Sequence, residues 1–200
     1  TIQGDHIRLL QTAMLNSSGR DGGGTMKIGG GYKGQDSSVR NAQTVTIDSG
    51  ASLDASATEN GDGGQIFVWS DARTIVHGSV AARGGALGGD GGFIEVSGAN
   101  SLFFDFTENA DLGAANGTAG TLLLDPEEIE IQNGAGGGVT GNVIFDQDII
   151  DFLDTASLVI TTSGVGNDNI RVFNDVDITW TSNNDLELDA GNDLMVDQDA

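Results

Sequence analysis

Gly64-Gln65-Ile66-Phe67-Val68 and Gly92-Phe93-Ile94-Glu95-Val96 are one phrase written twice. Gly24-Thr25-Met26-Lys27-Ile28 precedes them and Gly120-Thr121-Leu122-Leu123-Leu124 follows, with the leading glycines 40, 28 and 28 residues apart. Recurrence at such intervals marks a repeat architecture, in which one supersecondary unit stacks on the next. In each copy a glycine turn opens a short alternating run, so the unit is a turn followed by a strand. Laid in register, the copies form two inward columns: Met26, Ile66, Ile94, Leu122 and Ile28, Val68, Val96, Leu124. The positions between them, Lys27, Phe67, Glu95 and Leu123, are mixed in character and are expected to face solvent.

Further alternating runs follow each phrase. Thr44 to Ile47 and Ala51 to Ala55 come after the first, Thr74 to Gly78 and Ser79 to Arg83 after the second, and Leu102 to Phe106 and Ala110 to Ala114 after the third. Three strands to a coil predict an all-β fold, a right-handed parallel β-helix. Residues 1–124 read as Gly-rich coils, with a loop insertion at 29–40 thrown out from one of them. Residues 125–157 break the rhythm. Pro126 ends a strand because it lacks the ladder donor, and Phe145, Ile149, Phe152 and Leu153 fall at helical spacing. One short helix is expected near 146–155, with Asp146 capping its start. Residues 158–200 return to strand-like runs, including Val176-Asp177-Ile178, now rich in Asn and Asp. The chain opens mid-pattern at Thr1-Ile2 and is expected to be an interior fragment or a processed chain.

Composition agrees with this plan. Gly occurs 32 times and Pro once. Each interior helical Gly costs about 1 kcal/mol relative to Ala, whereas tight corners accept it. There is no Cys, so disulfides and Cys-based metal sites are excluded. No apolar run approaches the ~18 residues of a membrane span. The formal charge is −22. Residues 1–84 hold 8 acids and 7 bases, a balance of −1, while residues 85–200 hold 22 acids and only Arg171, a balance of −21. That field repels phosphate backbones, so nucleic acid is not an expected partner.

Several phrases occur in an order that resembles the repeat region of filamentous-haemagglutinin-type two-partner secretion exoproteins. Gly64 to Asp71 leads to Gly78 to Gly85, then Gly91 to Gly98, then Gly120-Thr121-Leu122-Leu123-Leu124-Asp125-Pro126. Ile178 to Asn184, with Leu186 to Gly191, is similar to the downstream repeats of that family, and the likeness covers most of residues 20–200. The resemblance implies a secreted or cell-surface right-handed β-helix, exported through a dedicated outer-membrane β-barrel transporter and acting as an adhesin or stalk. Its implied partners are a surface glycan or protein, or further copies of itself. The Asn-Pro-Asn-Gly type motif of the family's amino-terminal secretion domain has no counterpart here.

The chemistry-bearing residues are few. Gly164-Val165-Gly166-Asn167-Asp168 nearly matches a nonapeptide calcium repeat, which makes Asp168 a candidate calcium ligand; no cofactor is otherwise required. A carbohydrate-active β-helix enzyme is the rival class. Its candidate acids are Asp125, Glu127, Glu128 and the run Asp146, Asp148, Asp151, Asp154, the last group read as a solvated helix face. His6 and His77 sit in no recognisable constellation, and the reading favours a non-enzymatic chain. Tyr32, Lys33 and Arg40 make the 29–40 loop the candidate contact surface. Trp69 and Trp180, with Phe67, are either sugar-stacking or packed residues.

Overall fold

The computed structural model describes residues 1–163 and 168–197. Strands dominate and the fold is all-β. Strands β1 (His6–Leu9), β2 (Met14–Asn16), β3 (Thr25–Ile28), β4 (Ala42–Ile47) and β5 (Ser52–Asp54) come first. They lead into β6 (Gln65–Val76), β7 (Ser79–Ala81), β8 (Phe93–Gly98), β9 (Ser101–Phe104), helix α1 (Phe106–Asn109), β10 (Ala110–Asp111) and β11 (Thr121–Leu124). Next are β12 (Ile129–Gln132), β13 (Val139–Thr140), β14 (Val143–Phe145) and helix α2 (Asp146–Leu153). The last are β15 (Ser157–Thr162), β16 (Ile170–Val172), β17 (Leu186–Ala190) and β18 (Leu194–Val196).

The glycine phrases pair side by side, in parallel and in one register. Met26 lies opposite Ile66, Ile66 opposite Ile94, Ile94 opposite Leu122, Leu122 opposite Leu158, and Leu158 opposite Leu186. The second column runs from Ile28 through Val68 and Val96, and then from Leu124 through Ile160 to Leu188. Ile66, Ile94, Leu122 and Leu158 have no exposed surface, so the inward columns expected from the repeat are the core. The second runs join the same large sheet, β1 beside β4, β4 beside the far half of β6, and that half beside β9. The third runs, β2, β5, β7 and β10, form a separate four-stranded parallel sheet. β13 pairs antiparallel with β9 and β14, so the large sheet is mixed, and it curls nearly into a barrel.

Four local expectations are corrected. The phrase at Gly64 and the run at Thr74 are one continuous strand, β6, which pairs with β8 as far as Ser70 and with β9 from Arg73 onward. Phe106 leaves its strand and begins α1, a second short helix, where its ring packs edge-on against Phe152 of α2 at 5.2 Å. Residues 176–178 form no strand; Val176, Ile178 and Trp180 instead lay partly buried side chains on the core. Asp146 is the first residue of α2 rather than its cap, the N-cap position belonging to Phe145.

The largest correction concerns the positions between the columns. Phe67, Glu95 and Leu123 are 7%, 0% and 2% exposed, so this face is not solvated. The insertion after Ile28 folds back over it instead of projecting outward. Gly34 lies so close to Trp69 that an added Cβ would fall 2.3 Å from the indole, and its φ of +63° also favours glycine.

Ile94→Asp is therefore expected to unfold the chain, since it buries an unpaired charge at a cost of several kcal/mol. Glu187→Lys, at the matching but exposed outer position of β17, is expected to leave the melting temperature almost unchanged. Thermal melts of the two variants beside the unaltered chain check this register.

Candidate functional site

The covered face is where ionisable groups are held out of water. β8 presents Glu95 and Ser97 to it, β11 runs out into Asp125, and β15 supplies Thr161 and, just beyond its end, Ser163. The alternation that sends Ile94, Val96 and Leu124 inward sends these side chains outward. The insertion then closes over them. Tyr32 rests on Phe67 and Phe93 with ring centroids 6.3 and 6.1 Å away. Trp69, 5% exposed, donates its indole N–H to Asp71 Oδ1 at 2.9 Å, and Asn41 Nδ2 donates to the same oxygen at 2.9 Å. Lys27 pairs with Asp36, and that ammonium, with help from Ser38, brings the Asp36 carboxyl down to about 2.

Lys33 is the centre of the arrangement. Its backbone sits in the left-handed region at φ 51°, which aims its N–H at the Glu95 carboxyl, 2.9 and 3.1 Å from the two oxygens. Its ammonium extends further and donates to Thr161 Oγ1 at 3.3 Å. Burial pushes Glu95 up to about 8, although the Lys33 N–H, Ser97 and the Lys33 charge favour its ionised form. Burial likewise pushes Asp125 up to about 6 against the hydrogen bond from Ser163 Oγ, which lies 2.6 Å from Oδ2. Asp125 Oδ1 is buried with no hydrogen-bond partner among the described residues.

The other acids have structural duties. Asp148, 2% exposed, accepts the N–H groups of Gly136, Gly137 and Gly138 at 2.9 to 3.1 Å, gathering that turn onto α2. Asp146 accepts from Gly134, Asn133 and Asp177. Burial opposes its ionised form, yet hydrogen bonds from the N–H groups of Asp177 and Gly134 and from Asn133 hold its carboxyl below the usual range. The solvated helix face is thus reduced to Asp151 and Asp154. Glu127 is half-buried and Glu128 exposed, whereas Asp125 is buried. His6 and His77 are both exposed, His6 hydrogen-bonding Thr44. Trp180 is partly buried and donates to the Asn184 carbonyl.

Asp168 is 7% exposed, and its carbonyl accepts from Thr162 Oγ1 and from the Asn192 N–H. The run 164–167 that suggested calcium lies outside the described residues. Among the described residues no three His, Asp or Glu side chains gather as a metal cage. A separate groove of about 320 Å³ crosses the four-stranded sheet, lined by Ser52, Asp54, Ser79 and Arg83, with Arg83 paired to Asp111 at 2.8 Å. Sequence reading passed over this groove because its residues lie in successive third runs and meet only when the coils stack. No protein-family model matches the chain, and no curated protein matches it either.

The sign of the pH response follows from the raised carboxyls. Between its ordinary value of 4.5 and about 8, native Glu95 keeps a proton that the unfolded chain has lost. Stability therefore falls as pH rises through that window, by up to about 1.4 kcal/mol for each pH unit. Asp125 adds the same trend between 3.8 and about 6. Urea midpoints are expected to fall from pH 4.5 to pH 9, and Glu95→Gln is expected to flatten the slope.

Proposed function

We propose that the chain is a non-catalytic length of a right-handed parallel β-helix, serving as stalk or adhesive shaft of a large secreted or cell-surface protein. The observation that carries this reading is the six-strand parallel ladder β3, β6, β8, β11, β15, β17, held in one register throughout. A ladder of this kind propagates by adding rungs, and each rung is stabilised by its neighbours rather than by a closed core. The filamentous-haemagglutinin resemblance supports the same reading, together with export through an outer-membrane β-barrel transporter. Among the described residues no helix is long and apolar enough to cross a membrane.

Recognition in such a shaft belongs to its outer surfaces, since aliphatic side chains fill the interior. The two surfaces that favour contact are the insertion, which exposes Tyr32, at 51%, and Arg40, and the groove around Arg83. A surface glycan or protein is the proposed partner, and self-association into filaments is the variant of the same reading. Calcium at Asp168 is kept as a candidate structural ion.

Incubation of the purified chain with immobilised acidic and neutral polysaccharides tests this. Retention without release of reducing or unsaturated ends is expected, and a Tyr32→Ser, Arg40→Ala double substitution or Arg83→Ala is expected to weaken it several-fold. Turnover that Asp125→Asn or Glu128→Gln abolishes would establish an enzyme instead.

A further inference from the structure

Two groups with unmet requirements lie close together beneath the insertion. Lys33 is half-buried, and among the described residues it makes no ion pair, whereas Arg8, Arg20, Lys27, Arg40, Arg83 and Arg171 each do. Asp125 has no exposed surface and one carboxyl oxygen without a hydrogen-bond partner among the described residues. The register brings them together. Glu95, Leu123 and Val159 lie side by side on β8, β11 and β15, and Asp125 and Thr161 each lie two residues beyond the last two of these. Lys33 is anchored at Glu95 by its backbone and at Thr161 by its ammonium, so its side chain passes over β11, the strand that ends at Asp125.

We propose that Lys33 and Asp125 condense into an intramolecular amide that staples the insertion to the sheet, with Glu95 relaying the proton. The Lys33 ammonium first gives a proton to the Asp125 carboxylate, and the lone pair so freed on Nζ adds to Asp125 Cγ, forming a C–N bond. A proton from that nitrogen passes to Glu95 and from Glu95 to the departing hydroxyl. The C–O bond then breaks and water leaves. Amine plus carboxylic acid becomes amide plus water, with no change of oxidation state and no co-reactant.

Three features favour the step. Holding amine and acid together on a rigid sheet makes an otherwise bimolecular encounter unimolecular. A water-excluding site favours loss of water and protects the amide from hydrolysis. Burial also raises both carboxyls, Glu95 to about 8, so that it keeps its proton at neutral pH, and Asp125 to about 6, so that it takes up a proton more readily than an ordinary aspartate. The link would tie residues that are distant in sequence into one covalent ring, which suits a shaft under load but does not depend on the adhesin reading.

The decisive measurement is the intact mass of the denatured 200-residue chain, before and after incubation between pH 5 and pH 8. The expected chain is one water lighter than its sequence, and digestion yields a branched peptide joining Lys33 to Asp125. Lys33→Arg and Asp125→Ala are expected at full sequence mass, and Glu95→Gln is expected to slow the mass change while the circular dichroism spectrum remains that of the unaltered chain. Full mass in the unaltered chain under every condition overturns the proposal, whether or not the variants fold. So does a loss of water that persists in Lys33→Arg, which would mark dehydration at another site, such as an Asp-Gly step.

Discussion

Parallel pairing in a single register is the constraint on which everything else rests. Once Ile66 stands beside Ile94 and Ile94 beside Leu122, every inward side chain meets its equivalents on the neighbouring strands, and the core is filled column by column. A slip of one residue would exchange the aliphatic columns for the set containing Glu95. The glycines that open each phrase serve the same constraint. Gly64 and Gly92 stack so closely that a Cβ on Gly92 would fall 2.1 Å from the Gly64 carbonyl oxygen. Side chains at these corners would force the strands apart.

The covered outer face shows what one insertion can do to a regular sheet. Elsewhere an outward position is a surface position, as at Glu187. Beneath residues 29–41 the same position on β8 becomes a fully enclosed carboxyl site, since Glu95 has no exposed surface. Its partner is a backbone N–H rather than a cation, which leaves the desolvation of the carboxyl largely uncompensated and keeps its proton on. Asp125 suffers the same enclosure, with Ser163 as its partner. Stability, proton binding and the proposed covalent chemistry all arise from that single act of covering.

Away from the covered face, two kinds of carboxylate stand out in the acidic half of the chain. Asp146 and Asp148 spend their charge on N–H groups of the 134–138 turn and so hold an irregular segment to α2. Asp151, Asp154, Glu187 and Asp189 are exposed and contribute to the negative field that keeps phosphate polymers away. Net charge alone does not separate a carboxylate that organises backbone from one that merely repels.

Periodicity carried the core into view directly. The recurring glycine phrase determined which residues pair and which point inward, because alternation along a strand and stacking between strands are local rules that one chain can express. The helix at Asp146–Leu153 was legible for the same reason, through apolar spacing. The candidate site was not legible. Lys33, Glu95, Asp125 and Thr161 come from an insertion and three different rungs, and no spacing in the sequence announces that the insertion folds back instead of out. The insertion reaches Phe67 through Tyr32 and Glu95 through Lys33, and its Gly30 and Gly34 fit against Trp69, a long-range packing decision. What the sequence by itself determined is the register and its aliphatic columns; what only the tertiary structure decided is which outward residues see water, because exposure belongs to the covering segment and not to the strand it covers.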